Sequence, residues 1–189
     1  MTDPARPSRR TALAGLGALS TSALAAPALA AGPEPARYRV TLQSEAPIRF
    51  GVEAVLPGVG DRLTMGESWP AELPEMARRG WPAVVTGLQA SDTSGPLALT
   101  ERRNHWTLDR PASGPVRLTY GVDLGLFEAA GWSSPLESAV RDAGGFSVSG
   151  RALFVSGGER PAEVAFVLPP AWRAVVPWTR AGFDSRFRA

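Results

Sequence analysis

The sequence predicts an all-β fold: an antiparallel β-sandwich of about eight strands with one or two short helical inserts. Three observations carry that expectation. Eighteen prolines and twenty glycines punctuate the 189 residues at short intervals, which breaks up long helices and favours many short strands. Apolar side chains recur at every second position in several runs, so that one set lines a core face. Cysteine is absent, so the fold must rest on packing alone; thiolate nucleophiles, thiolate metal sites and a lipidated N-terminus are excluded with it.

In chain order, residues 1–30 read as an export signal. Arg9 and Arg10 precede a small-residue apolar run holding Leu13, Leu16, Leu19, Leu24 and Leu29, and Pro27 breaks it. That is a cleavable segment rather than a permanent membrane span. Ala28-Leu29-Ala30 supplies the small-x-small pattern that signal peptidase needs, with Ala28 and Ala30 as the small residues. The stretch from Ser8 to Leu13 resembles a twin-arginine signal, although the aromatic residue common two places after the second arginine is missing; a Sec-type signal is the alternative. The expectation is a periplasmic or secreted bacterial protein with no membrane span after signal removal, residues 31–189 forming one β-sandwich domain.

Tyr38, Val40 and Leu42 alternate with Arg39, Thr41 and Gln43, and Phe50, Val52, Ala54 and Leu56 follow the turn at Ala46-Pro47, which predicts an opening antiparallel pair. Residues 58–81 interrupt the rhythm, and 73–79 predict a turn or two of helix that Gly80 stops. Strands are expected over 84–90, 97–103 and 105–108. Residues 116–124 are the clearest case, with Val116, Leu118, Tyr120, Val122 and Leu124 on one parity, and predict a central strand whose Leu118, Tyr120 and Val122 point inward. Ser134 as N-cap with Pro135 at the first helical position predicts a short helix over 136–143. Closing strands are expected over 152–156 and 163–168, with breaks at Ser113-Gly114-Pro115 and Gly157-Gly158.

The formal net charge of +2 traces to Arg6, Arg9 and Arg10 set against Asp3, so beyond residue 30 the charges balance. Lysine is absent and arginine carries every positive charge. A balanced surface predicts neither nucleic acid nor anionic lipid as a partner.

The order of these features resembles the N-terminal β-sandwich domain of the glycyl-aminopeptidase family of zinc metallopeptidases, also called family sixty-one. The resemblance rests on Tyr38-Arg39-Val40, then Leu88-Gln89-Ala90-Ser91-Asp92 with Gly95 and Leu97, then Asn104-His105-Trp106 and the run from Val116 to Val122. It continues through Gly145-Phe146, Leu153-Phe154-Val155 and the run from Val164 to Pro169 with Trp172. In such enzymes this domain precedes a thermolysin-like catalytic domain and usually a PDZ domain. Two departures stand out. The family's zinc site needs His-Glu-x-x-His, whereas this chain has His105 alone. The family's Trp-x-Pro-Gly-x-Tyr exit from the second strand is represented here only by Trp69-Pro70.

Catalytic constellations fare no better. His105, with Asp109 nearby, has no partner that spacing identifies; Gly145-Phe146-Ser147-Val148-Ser149 lacks the second glycine of a nucleophile elbow; and no spacing pairs Glu72, Glu75, Glu101 or Asp109 for glycoside chemistry. No catalytic, cofactor-binding or metal-ligating residue is therefore assigned. Of the six tryptophans, Trp106 and Trp172 are read as core. Trp69, Trp81, Trp132 and Trp178 lie in loops or near the C-terminus, and of these Trp69, Trp81 and Trp132 are the candidates for a sugar- or peptide-binding shelf, with loop packing as the competing role. The sequence reading is an exported accessory domain, non-catalytic by itself, whose partner is a peptide or a separate peptidase catalytic domain. The alternatives are a fragment of a secreted zinc aminopeptidase and a carbohydrate-binding module.

Overall fold

The computed structural model describes residues 33–131, 139–142, 144–181 and 186–188. Arg9, Arg10, Ala28 and Ala30, read from the sequence as an export signal, lie outside them, as do Trp132 and the expected Ser134-Pro135 cap. The strands are β1 (Ala36–Glu45), β2 (Ile48–Leu56), β3 (Arg62–Thr64), β4 (Val85–Asp92), β5 (Gly95–Leu97), β6 (Leu99–Arg102), β7 (His105–Leu108) and β8 (Val116–Asp123). They continue with β9 (Ala139–Asp142), β10 (Gly145–Val148), β11 (Ala162–Val167), β12 (Thr179–Arg180) and β13 (Arg186–Arg188). Two short helices, α1 (Pro74–Arg79) and α2 (Gly125–Ala129), complete the set.

Eight strands form one sheet in the order β12-β13-β11-β1-β2-β8-β4-β5. Its core face follows from the period of two: Tyr38 and Val40 of β1, Phe50 and Val52 of β2, and Leu118, Tyr120 and Val122 of β8 are all buried, while Arg37, Arg39, Glu53, Arg117 and Thr119 between them are exposed. Each fully buried aliphatic side chain in that set contributes roughly 1.5–3 kcal/mol. Against this face lies a second layer: the three-stranded sheet β3-β7-β6, α1, a tight turn over Trp81–Val84, and an irregular stretch over 149–156.

That irregular stretch replaces the strand expected over 152–156. It begins as a single tight turn, Gly150–Ala152, capped by the Ser149 hydroxyl, and makes one isolated bridge between Ser156 and Thr64. Its side chains Ala152, Leu153 and Val155 are buried, and two tyrosines of the main sheet meet its backbone. The Tyr120 hydroxyl donates to the Leu153 carbonyl at 2.8 Å and accepts from the Val155 N–H at 3.0 Å, while the Tyr38 hydroxyl donates to the Val155 carbonyl at 3.0 Å.

Other expectations are revised as well. The sheet is mixed rather than wholly antiparallel, because β1 pairs with β11 in parallel, Arg37 opposite Glu163 and Arg39 opposite Ala165. Instead of one strand over 97–103, β5 stays in the main sheet and β6 joins the small one. Asp109 holds the crossing point, its carboxylate accepting from Ala98 N–H at 3.1 Å and its own N–H donating to the Ala98 carbonyl at 3.0 Å. Where a helix was expected over 136–143, Ala139–Asp142 is a strand, because its backbone pairs antiparallel with β10, Asp142 opposite Gly145 and Ala139 opposite Val148. The helix expected over 73–79 is α1, and α2 was not anticipated.

Asn104 sits in the β6–β7 turn with φ of 65° and is buried. Its side chain donates to the Gly66 carbonyl at 2.7 Å and accepts from Trp81 N–H at 3.3 Å, and its backbone N–H donates to the Arg79 carbonyl at 2.7 Å. Gly80, with φ of 68°, packs so close that a Cβ there would meet Asn104 at 2.8 Å. One left-handed asparagine thus clips three loops together.

The register of β8 is open to a paired test. Leu118→Asp places an unpaired carboxylate in the core and should cost several kcal/mol, a large part of a domain's ~5–15 kcal/mol. Thr119→Asp, on the exposed face, should cost about 1 kcal/mol, much of it repulsion from Glu53 directly opposite. Thermal melts followed by circular dichroism compare the two; Thr119→Asp as the more damaging change would reverse the register.

Candidate functional site

The solvent face of the main sheet carries charges set in register by strand pairing. On β1, Arg37 and Arg39 point outward because Ala36, Tyr38 and Val40 point inward. On β13, Arg186 and Arg188 point outward because Phe187 is buried. Between these strands runs β11, whose outward residues at the same level are Glu163 and Ala165. Strand pairing therefore builds two parallel rows across three strands, Arg37–Glu163–Arg188 and Arg39–Ala165–Arg186.

The first row is complete. Glu163 Oε2 lies 3.6 Å from Arg37 Nε and Oε1 lies 3.2 Å from Arg188 Nη2, so one carboxylate bridges two guanidiniums; Arg37 also reaches Glu34 at 3.5 Å. In the second row a methyl group occupies the bridging position. Arg39 and Arg186 make no ion pair among the described residues, although Glu53 stands opposite Arg39 on β2. Both rows line an open cleft of about 610 Å³. Overall charge balance did not reveal this segregation. The sequence signal was present as Arg-x-Arg twice at strand period, but its meaning depends on which strand lies between.

The tryptophan shelf is not assembled. Trp81 is fully buried, with its indole N–H donating to the Ser68 carbonyl at 2.8 Å, so it is core and cannot stack on a ligand. Trp69 is half-buried and its ring is already covered by the Arg103 guanidinium, 5.3 Å from the ring centroid. Trp106 is core as expected; Trp172 is only half-buried, packing on Phe146 and donating to Glu45 at 2.8 Å. His105 is partly exposed, its Nδ1 3.0 Å from the Arg103 carbonyl. No group of three or more His, Cys, Asp or Glu residues is placed to hold a metal among the described residues, nor is any helix among them long and apolar enough to cross a membrane.

Among the described residues Asp92 is the one strongly perturbed carboxylate. Its side chain is wholly shielded, and the Arg110 fork at 2.6 and 2.9 Å, with the N–H groups of Ser113 and Ser94, holds its pKa well below the usual carboxylate range. Every acceptor position is occupied by its own loops, which makes Asp92 a structural clip.

No protein-family model matches the chain, and no curated protein matches it by sequence. Among solved structures the fold is similar to that of an aminopeptidase N family protein from Idiomarina loihiensis, with a TM-score of 0.56 and 20% identity over 82% of this chain. The match covers 27% of that protein, so this chain spans about a quarter of its length. The likeness shows the fold alone: a β-sandwich like the part of that protein it covers.

Glu163→Gln tests whether the arginine rows hold the fold together. Exposed ion pairs contribute at most about 1 kcal/mol, so the melting temperature should barely move. A loss of several kcal/mol would make the rows structural.

Proposed function

We propose that this chain is an exported accessory domain, non-catalytic by itself, that docks protein or peptide, and that its counterpart is the N-terminal domain of glycyl aminopeptidases. The observation that carries the reading is the extent of the fold likeness: the chain corresponds to about a quarter of a longer aminopeptidase N family protein, as an accessory module of such an enzyme would. The sequence resemblance named above supports the finer assignment. The second arginine row supports an interaction role, since Arg39 and Arg186 stand on the sheet with no ion-pair partner among the described residues, where a partner's acidic groups meet them without ordering a loop. Export to the periplasm or beyond rests on Arg9-Arg10, the apolar run and Ala28-Leu29-Ala30.

The purified chain should hold no stoichiometric zinc by elemental analysis and should not hydrolyse glycyl substrates. Zinc at one equivalent together with chelator-sensitive hydrolysis would overturn the accessory reading and put an enzyme in its place.

A further inference from the structure

The two rows across β1, β11 and β13 differ at one position. In the first, Glu163 offers one oxygen to Arg37 and the other to Arg188. In the second, two residues further along each strand, Ala165 stands where that carboxylate would be, between Arg39 and Arg186. Adjacent strands lie about 4.8 Å apart, so the two outer positions of each row are about 10 Å apart, within reach of long arginine side chains over the middle strand, as Arg37 and Arg188 reach Glu163 in the first row. We propose that the second row is a binding site for one carboxylate side chain of a partner protein or peptide, seated over Ala165 between Arg39 and Arg186 as Glu163 is seated between Arg37 and Arg188.

The chemistry selects the ligand. Two guanidiniums flanking one position match a single planar carboxylate, which accepts from both. The methyl of Ala165 leaves room for it and cannot itself accept. A continuous polyanion is disfavoured, because Glu163 and Glu53 lie beside the gap on the same face, and Glu34 adjoins Arg37, so successive phosphates or lipid headgroups would meet these carboxylates. One acidic residue flanked by neutral ones suits the gap best. This inference rests on the interaction reading above and names the partner's chemistry.

The test uses the full chain and two extended nonapeptides of threonine and valine, one with a central glutamate and one with glutamine in its place. Binding is followed by NMR through the Ala165 methyl and the arginine Nε–H signals. The glutamate peptide should shift the signals of Ala165, Arg39 and Arg186 saturably, and the glutamine peptide at least tenfold more weakly. Ala165→Glu, which supplies the bridge from within, should abolish binding while the melting temperature is kept. Arg39→Gln and Arg186→Gln, both exposed, carry the same test without altering packing on β11, and each should weaken binding at least tenfold. Peptide binding unmoved by all three variants would overturn this site while leaving the interaction reading standing. So would binding by oligothymidylate or phosphatidylglycerol vesicles with the peptides silent, or acetate alone binding as tightly as the glutamate peptide. Zinc-dependent glycyl hydrolysis, by contrast, would remove the accessory reading and leave the carboxylate site to be judged on its own titration.

Discussion

A second layer that is not itself a regular sheet has a problem that a strand does not: its buried backbone groups need partners. Residues 149–156 cover the centre of the main sheet with Ala152, Leu153 and Val155 buried, yet they pair with no strand beyond one bridge at Ser156. The Tyr38 and Tyr120 hydroxyls resolve this from below, meeting the carbonyls of Leu153 and Val155 and the N–H of Val155. An unmet buried backbone group costs about 1–3 kcal/mol, so three met by two side chains are a substantial share of a domain's margin. Burial of the rings and satisfaction of the loop are the same event, since Tyr120 and Tyr38 project from adjacent parts of the sheet face and Phe154 packs on the Tyr38 ring.

The rest of the domain repeats the device with other side chains. Asn104 ties the β6–β7 turn to the loops at Gly66 and Trp81, and Asp92 ties Arg110, Ser94 and Ser113 into one corner. In a chain without cysteine these buried polar side chains do what disulfides do in many exported domains, fixing irregular segments to a regular sheet. The consequence for function is rigidity. The arginine rows on the opposite face of β1 and β11 keep their spacing because the inner face of the same strands is locked, Tyr38 between Arg37 and Arg39 and Val164 between Glu163 and Ala165.

What the sequence made legible was local. Alternation placed Leu118, Tyr120 and Val122 inward and paired β1 with β2 around Ala46-Pro47, because a period of two and a turn signal are written in contiguous residues. The parallel pairing of β1 with β11 was not legible, since the two are joined by more than a hundred intervening residues and nothing in either strand specifies its neighbour. The arginine rows were hidden for that reason: Arg37, Glu163 and Arg188 meet only once strand order is known. Trp81 was misread because Gly80 and Pro82 suggest an exposed loop, whereas Asn104 and the Ser68 carbonyl draw that loop into the core. Over 152–156 the apolar run was right about burial and wrong about conformation, because tyrosine hydroxyls rather than a neighbouring strand satisfy its backbone.

The two buried tyrosines are also the only two in the chain, and with no lysine or cysteine they are the only side chains whose ordinary titration falls near pH 10. Burial pushes both phenols above that range, the nearby Arg160 charge only partly opposing it at Tyr38. Because the folded value is raised, the stabilisation is fully present below about pH 10 and declines as pH rises beyond it, when the unfolded chain alone can ionise. A spectrophotometric titration of tyrosinate, run beside far-ultraviolet circular dichroism, reads this directly. No tyrosinate signal should appear until the β-sheet signal collapses, the two curves rising and falling together above pH 10. Tyrosinate appearing at its ordinary pH with the β-sheet signal intact would show that the phenols are free of the 149–156 backbone, and that the second layer is held by something else.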